Sequence, residues 1–395
     1  MRPLASRMSV MSGEGALSVY ARAKELEREG RSIIHLELGE PDFHSPAPVI
    51  EAGNRALQEG KDRYCPMAGV PALKQELAEY LQRTRSIRIS PENVVIAPGC
   101  KIALFFAMMA LLEPGDEVLY PEPGFPGYPS IALGLGATPV GFGLHEKNQL
   151  QPDPEEIAAK ITPRTKAIIT NSPGNPTGTV YTDAVQRRIA ELAVKHDLYV
   201  LSDEIYARII YGQEYLSMLR YPGMQDRALI IDGFSKSFAM TGWRLGYTVA
   251  PAHVVPALVM LAINSYTCVA EFSQYAAVEA LRDSGGHTPR MLSEFTKRRE
   301  QFIADLNRVP GFRCASPEGA FYAWVNIMDT GISAEEVCRI MLEDAGVAGI
   351  SGAAFGPSGK DFVRFSFASS TATLKEAVER IHKASAAWQT VPAGR

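Results

Sequence analysis

A single lysine in an unusual setting constrains this chain more than any other feature. The apolar run at residues 228–231 is typical of a buried strand and leads directly into the segment that contains Lys236. Small and aromatic residues surround this lysine, and Arg244 follows it closely. A buried amine beside another cation has a lowered pKa, which is the condition for a lysine that forms Schiff bases. A lysine on an ordinary surface loop is the alternative that this segment alone leaves open.

Strand-like and helix-like segments alternate through most of the chain. Apolar runs typical of buried strands lie at residues 93–97, 116–120, 165–170, 198–201 and 228–231. Helical patterns lie between them, for example at about residues 100–112 and 183–195. Such β–α repeats predict an α/β fold with a parallel sheet. After residue 285 the strand and helix signals mix differently, and we expect a smaller α+β domain there.

The bulk composition argues against several classes of protein. A chain of 395 residues is too long for one core, so we expect two domains. The formal net charge of −4, without a basic block, gives no reason to expect nucleic acid or an anionic membrane as a partner. We find no secretory signal and no apolar run long enough to span a bilayer. Five scattered cysteines favour reduced thiols in the cytoplasm, and no cluster of residues predicts a metal site.

Three further segments carry residue types that suit a small ligand. Residues 98–101 connect a strand to a helix, an arrangement that binds phosphate through free amides and the helix dipole. Asp203 follows a strand at the edge where open α/β sheets bind ligands, and a buried carboxylate there needs a cation. Arg364 lies between aromatic residues of a strand and suits a carboxylate, although it could also face solvent.

Several motifs together resemble the class I aminotransferases, in particular the aspartate-aminotransferase-like I-gamma subgroup. Residues 235–247, Ser-Lys-Ser-Phe-Ala-Met-Thr-Gly-Trp-Arg-Leu-Gly-Tyr, are similar to the cofactor-binding lysine segment of that family. The other motifs, in the family's order, are L-G-E-P-D-F at 38–43, Y-x-P-x-x-G at 64–69, N-P-T-G at 175–178, D-E-x-Y at 203–206 and R-F-S at 364–366. The resemblance implies fold type I, with a large domain of a mostly parallel seven-stranded sheet flanked by helices and a smaller α+β domain. We place the large domain at residues 46–285 and the small domain at residues 1–45 and 286–395.

The resemblance also implies pyridoxal 5′-phosphate as the cofactor and a role for each matching residue. Lys236, Asp203 and Tyr206 are implied to be catalytic, with Lys236 as the Schiff-base lysine. The residues implied to bind the cofactor are Cys100, Lys101, Phe125, Asn175, Asp203, Tyr206, Lys236, Arg244 and Tyr64. Those implied to bind the substrate are Gly39, Asn175 and Arg364.

Within this set, each group of residues has a defined partner in the family. The amides of Cys100 and Lys101 and the side chain of Arg244 hold the cofactor phosphate. Phe125 stacks on the cofactor ring, while Asn175 and Tyr206 face its 3-oxygen. Tyr64 reaches the phosphate in the neighbouring subunit, so the resemblance implies a homodimer.

The function implied by the resemblance is transfer of the amino group of an L-amino acid to a 2-oxo acid. A β-eliminating C–S lyase on the same scaffold is the nearest alternative, because the same residues serve both reactions. A pyridoxal-phosphate-binding regulator without turnover is a third possibility, but such proteins begin with a DNA-binding domain, and this chain starts in the family's first helix.

The substrate prediction depends on the residues expected near the donor side chain. Leu17 and Met109 occupy positions where dicarboxylate-specific relatives carry polar or basic groups, so we expect a neutral aliphatic or aromatic donor. Pyruvate or 2-oxoglutarate is the expected acceptor. Gly233 departs from the serine that some relatives have three residues before the lysine, which removes one hydroxyl donor to the phosphate.

Overall fold

The strands form one large sheet, one small sheet and a separate pair. The structure is a computed structural model that describes residues 2–283 and 285–389. In chain order the strands are β1 (Ile34–His35), β2 (Val94–Ala97), β3 (Glu117–Glu122), β4 (Thr138–Gly143), β5 (Thr165–Asn171), β6 (Tyr199–Asp203), β7 (Ala228–Gly233), β8 (Gly246–Val249), β9 (Arg313–Cys314), β10 (Tyr322–Asn326), β11 (Val347–Ala348), β12 (Ile350–Ser351) and β13 (Phe362–Ser366).

The α-helices connect these strands and cover their faces. They are α1 (Gly15–Arg28), α2 (Ala47–Gln58), α3 (Pro71–Arg85), α4 (Cys100–Leu111), α5 (Gly127–Gly134), α6 (Pro154–Lys160), α7 (Asp183–Lys195), α8 (Val255–Ile263), α9 (Glu271–Arg282), α10 (His287–Leu306), α11 (Ala334–Glu343), α12 (Thr371–Ala384) and α13 (Ala386–Gln389). Short 3₁₀ helices lie at Ser6–Ser9, Pro91–Asn93, Glu146–Asn148, Met218–Arg220, Met224–Asp226, Thr241–Trp243, Met328–Thr330, Gly352–Phe355 and Pro357–Gly359. Several helices begin with a capping hydroxyl: the side chains of Thr182, Ser333 and Ser370 accept hydrogen bonds from the first turns of α7, α11 and α12.

The large sheet has the strand order β2-β8-β7-β6-β5-β3-β4. Strand β8 runs antiparallel to the other six strands of this sheet. This seven-stranded, mostly parallel sheet confirms the α/β fold class expected from the sequence. Because β5, β6 and β7 run parallel, their carboxyl ends meet at one edge, where open α/β sheets bind ligands.

Both faces of the large sheet are buried, which explains why its strands are almost continuously apolar. On one face Ile168, Val200 and Ile230 pack in the same core as α2, α3, α6, α7 and α9. The next residues along two of these strands, Ile169 and Leu201, point to the opposite face, where α4, α5 and α8 pack. The sheet is therefore the middle layer of three.

The smaller sheet has the order β12-β13-β10-β9 and is antiparallel throughout. Helices α10, α11 and α12 contribute to its core, and the parallel pair β1–β11 attaches the N-terminal segment to this region. Tyr206 and Ile209 pack in the same core although they precede residue 285. The domain limits at residues 45/46 and 285/286 stay a prediction, and residues 390–395 of the expected small domain lie outside the described residues.

Two local differences from the sequence analysis have clear physical causes. The helical pattern expected from about residue 252 to 282 is divided into α8 and α9, because Asn264 ends the first helix and Thr267 takes a left-handed φ of 65°. Strand β8 was not predicted, since its four residues begin with a glycine and follow a loop. Among the described residues, no helix is long and apolar enough to cross a membrane.

Candidate active site

A cavity of about 280 Å³ lies where the carboxyl ends of β5, β6 and β7 face the start of α4 and the middle of β13. Every site residue predicted from the sequence lines this cavity except Tyr64. The lining members of that set are Gly39, Cys100, Lys101, Phe125, Asn175, Asp203, Tyr206, Lys236, Arg244 and Arg364. Residues from seven separate segments therefore converge on one site.

Lys236 lies in the loop after β7, and its amine points into the cavity. The Nζ atom donates a hydrogen bond of 2.5 Å to the backbone oxygen of Gly39. Burial lowers the pKa of Lys236 to about 8, although the nearby Glu40 carboxylate opposes the shift. Gly39 has to be a glycine here, because a β-carbon would overlap the hydroxyl group of Tyr322. The Lys236 side chain is thus held against a backbone carbonyl. Its amine is partly neutral near neutral pH.

Asp203 ends β6 and is buried at the cavity edge. Its Oδ2 atom accepts a hydrogen bond of 2.7 Å from the hydroxyl of Tyr128, and its Oδ1 atom accepts one of 3.3 Å from the amide of Ile205. Burial raises the pKa of Asp203 to about 6, while both hydrogen bonds limit the shift. No cationic side chain of the described residues pairs with this carboxylate. The site therefore offers a buried carboxylate to a cation that the chain itself does not supply.

Arg364, in β13, is a buried cation without a paired carboxylate. Its Nη1 atom donates to the side-chain oxygen of Asn175 at 2.9 Å, and its Nη2 atom donates to the backbone oxygen of Glu37. The guanidinium is buried, lies 4.4 Å from the ring centre of Tyr322, and leaves its Nε atom without a hydrogen-bond partner. Burial lowers the pKa of Arg364, since its partners within the described chain are neutral oxygens and not a paired carboxylate. A bidentate anion would satisfy this group.

The start of α4 and Arg244 form a second cationic corner. Arg244 donates from Nη1 to the backbone oxygen of Thr241 at 2.9 Å. Gly99, at a φ of 98°, precedes the helix, and a β-carbon there would lie 2.5 Å from Nη2 of Arg244. A β-carbon on Gly246 would similarly lie 2.5 Å from the amide nitrogen of Cys100. Glycines at both positions bring the guanidinium and the free amides of the first helical turn together, which is a suitable place for phosphate.

Asn175, Tyr206 and Phe125 surround the middle of the cavity. The amide of Asn175 donates to Asn171 Oδ1 at 2.8 Å, and its side-chain oxygen is occupied by Arg364, which leaves the side-chain nitrogen to face a ligand. The hydroxyl of Tyr206 lies 2.6 Å from that of Tyr322. Phe125 packs edge-on against Tyr128, with 5.4 Å between ring centres. Each of the three therefore has its position set by a second side chain.

The Cys100 side chain does not behave as a nucleophile in this structure. Burial raises the pKa of its thiol well above the ordinary value, and the carboxylates of Asp203 and Asp232 add to the shift. A thiol that stays protonated is a poor nucleophile. This supports the interpretation that the first turn of α4 needs a small residue here.

Two residues named in the sequence analysis lie away from the cavity of the single chain. Tyr64 lies on the surface with 85% of its area exposed and does not line the cavity. Leu17 does line the cavity, but Met109 does not; it is exposed on a later turn of α4. Helix periodicity places Met109 on a different side of α4 from Lys101 and Leu104. The roles expected for Tyr64 in a neighbouring subunit and for Met109 near the donor side chain stay predictions.

The sequence analysis also missed residues that shape the cavity. Tyr128 fixes Asp203, Asn171 fixes Asn175, and Tyr322 contacts both Tyr206 and Arg364. Glu14 lines the wall and forms an ion pair with Lys101. Tyr128 belongs to the same loop-and-helix segment as Phe125 and could have been noticed there. Nothing in the linear sequence brings Tyr322 or Glu14 near the site.

These groups fit pyridoxal 5′-phosphate, which combines a phosphate, a ring nitrogen that can carry a proton, and an aldehyde. The buried Asp203 carboxylate, without a cation of its own, suits the protonated ring nitrogen. The start of α4 and Arg244 suit the phosphate, and the Lys236 amine suits the aldehyde. Arg364, without an anion of its own, is left for a substrate carboxylate.

Comparisons with known proteins agree with this arrangement. The family model for aminotransferase class I and II matches residues 31–381. An aspartate aminotransferase of Pyrococcus horikoshii is 38% identical over 384 residues, which cover 96% of this chain and 97% of that protein. A probable aspartate/prephenate aminotransferase of Thermus aquaticus is 39% identical over 393 residues, covering 97% and 100%. The solved structure of the aspartate aminotransferase from Thermus thermophilus with maleate has a TM-score of 0.93 at 37% identity, covering 97% of this chain and 100% of that one.

Proposed function

The chain belongs to the aminotransferase class I and II family, and from this premise we propose that its cavity holds pyridoxal 5′-phosphate and transfers the amino group of a neutral L-amino acid. The observation that carries this proposal is the pair of unsatisfied buried charges, Asp203 and Arg364, on either side of the Lys236 amine. A buried charge without an opposite charge lowers the stability of the folded chain. These two groups therefore indicate ligands of opposite charge.

The cofactor would be held at four places. Arg244 and the amides of Cys100 and Lys101 would bind its phosphate, and Asp203 would keep its ring nitrogen protonated. Phe125 would cover the ring, while Asn175 and Tyr206 would donate hydrogen bonds to its ring oxygen. When bound, pyridoxal phosphate supplies an electron-withdrawing group that weakens the Cα–H bond of the substrate.

Lys236 would be both the attachment point of the cofactor and the base. With a pKa lowered to about 8, a useful fraction of its amine is neutral at neutral pH and can accept the Cα proton. Its bond to the Gly39 oxygen keeps the amine directed across the cavity. The same ammonium can then return the proton, so one residue moves it in both directions.

Arg364 would orient the substrate. Its guanidinium would bind the α-carboxylate, with Asn175 and the Gly39 backbone beside it. Fixing the carboxylate on one side places the Cα–H bond at a constant distance from Lys236. Such positioning is a large part of the rate gain in enzymes that move protons.

We also propose that the working unit is a homodimer in the cytoplasm. Tyr64 is exposed in the single chain, so its hydroxyl is available to the cofactor phosphate of a second copy. The five cysteines are free thiols, which suits a reducing compartment.

A dicarboxylate donor is the second candidate, favoured by the names of the relatives, which are an aspartate and a probable aspartate/prephenate aminotransferase. The neutral donor is favoured by Leu17 on the cavity wall. Pyruvate and 2-oxoglutarate are the acceptors to test.

The test is a titration of the purified, cofactor-loaded protein with a panel of amino acids, followed by visible absorbance. Loss of the absorbance band of the lysine-bound cofactor, and its return on addition of a 2-oxo acid, is the expected result. Release of ammonia and pyruvate without an acceptor would instead indicate the β-eliminating lyase. The absence of any visible band after adding pyridoxal phosphate would overturn the cofactor assignment.

A further inference from the structure

Glu14 and Lys101 form an ion pair at the surface of the cavity, where the Lys101 side chain is 55% exposed and the Glu14 side chain 29%. Glu14 immediately precedes α1, and Lys101 is the second residue of α4, so the two come from distant parts of the chain. The Nζ atom of Lys101 contacts Oε1 of Glu14, and both residues line the cavity together with Leu17.

This pair has no role in the proposed chemistry. Among the charged side chains that line the cavity, Asp203, Lys236, Arg244 and Arg364 are each used for the cofactor or the substrate α-carboxylate. Lys101 would contribute only its backbone amide to the phosphate, which leaves its ammonium group unassigned. The remaining ionic groups, Glu14 and the Lys101 ammonium, are thus available to face the side chain of the substrate.

The position of the pair agrees with that assignment. The charge of Glu14 acts on Arg364: burial lowers the pKa of Arg364, and the Glu14 carboxylate is among the groups that oppose the shift. Lys101 Nζ lies 5.7 Å from the ring centre of Phe125, the residue expected to cover the cofactor. The pair therefore lines the same cavity as Arg364 and lies near Phe125, with the apolar Leu17 and Leu104 in the same lining.

We propose that Glu14 is a specificity-determining residue that occupies the Lys101 ammonium and so favours neutral donors over dicarboxylates. This inference rests on the proposed function, because it names the substrate class of the same site. A second substrate carboxylate would have to displace Glu14 from Lys101 and then remain close to the Glu14 charge. A neutral side chain leaves the pair intact and packs on Leu17 and Leu104. Discrimination then comes largely from repulsion of the wrong substrate.

The experiment compares the native protein with E14Q and E14S. The ratio of kcat/KM for aspartate to kcat/KM for a neutral donor, with the same acceptor, is expected to rise about tenfold or more in both variants. In parallel, the dissociation constant of maleate, a dicarboxylate without an amino group, is measured by spectral titration of the loaded protein. We expect maleate to bind about tenfold more tightly to both variants.

Two further variants make the result specific. The double variant E14Q/K101Q should lose the gain, because no ammonium remains to be freed. E92Q is the matched control, since Glu92 forms a comparable ion pair with Lys74 at an exposed position outside the cavity, and it should leave both ratios unchanged.

The failures of the two proposals are distinguishable. If native protein transaminates a neutral donor but neither ratio moves in E14Q and E14S, the role of Glu14 is wrong and the function stands. A gain that persists in E14Q/K101Q would overturn the assignment of Lys101 as the freed partner. If the loaded native protein transaminates no donor at all, the proposed function itself fails.

Discussion

Asp203 and Glu204 are neighbours at the end of β6, yet their carboxylates have very different partners. Glu204 is fully buried and accepts hydrogen bonds from Arg85 at 2.5 Å and from Ser217 at 2.8 Å. Arg85 also pairs with Asp232, whose Oδ2 accepts a further bond of 2.7 Å from Tyr247. Asp203 receives only a tyrosine hydroxyl and one backbone amide, and faces the cavity.

The difference separates two uses of buried charge. Around Arg85, each charge meets its opposite within the chain, so the network belongs to the folded state itself. Around the cavity, Asp203 and Arg364 do not pair with each other, and neither forms an ion pair within the described chain. This is the arrangement expected of groups that bind charged ligands. The predictions below test whether changes in the Arg85 network affect mainly stability and whether changes in the cavity affect mainly activity.

The largest effect is expected for K236A. Removing the amine takes away both the proposed attachment point and the base, so kcat should fall by about 10⁴-fold or more. Steady-state kinetics with the best donor gives the measurement, and K195A, an exposed lysine at the end of α7, is the control. Activity of K236A within tenfold of the native value would remove Lys236 from the mechanism.

Two arginine variants compare the regions directly. R364Q should lower kcat/KM by about 10²- to 10³-fold, because the substrate carboxylate loses a buried charge-assisted partner, while the melting temperature stays close to native. R85Q should do the reverse: it leaves Glu204 and Asp232 buried without their cation, and the free energy of unfolding should fall by about 3–5 kcal/mol. Steady-state kinetics and urea denaturation of both variants measure these two effects. Equal loss of stability in the two would erase the distinction between the regions.

The pH dependence of stability gives an intermediate effect. Burial raises the pKa of Asp203 from 3.8 to about 6, so between these values the folded chain binds more protons than the unfolded chain. The contribution of Asp203 to the free energy of unfolding is therefore fully present below pH 3.8. It is lost as pH rises through 6, and the total loss is about 3 kcal/mol. In D203N this loss is absent.

Urea denaturation of the cofactor-free protein at several pH values checks this sign. The free energy of unfolding of D203N relative to native should rise between about pH 4 and pH 6 and stay level above. Added pyridoxal phosphate should cancel the trend in the native protein, since a cation then pairs with Asp203. A difference that does not vary with pH would mean that Asp203 is paired already.

The smallest effect concerns Tyr64, the predicted site residue outside the cavity. Y64F should weaken pyridoxal phosphate binding by about tenfold, the value of one hydrogen bond to a charged group. In mixed dimers of K236A and Y64A, one of the two sites would contain both changes and the other neither. At limiting pyridoxal phosphate, mixing K236A with Y64A should therefore give more activity than either protein alone. Without such recovery, Tyr64 would not act across subunits.

The sequence predicted β2, β3, β5, β6 and β7 because they are short apolar runs that end in small or polar residues, whereas β4 and β8 contain glycines and were not predicted. Lys236, Asp203 and Arg364 could be selected since a buried charge is rare enough to be noticed in a linear pattern. Tyr322 and Glu14 could not, because their proximity to the site depends on how distant segments pack.

The hydrogen bond from Lys236 to Gly39 has a consequence for how the protein is made. Gly39 follows β1, which pairs with β11, and the backbone oxygen of Leu36 accepts a bond of 2.7 Å from Ser366. On the ribosome, β1, just before Gly39, lacks its partner strand until residues 347–366 have followed. All strands of the large sheet are made before that point. The surroundings of Lys236 that depend on β1 are therefore completed only near the end of translation.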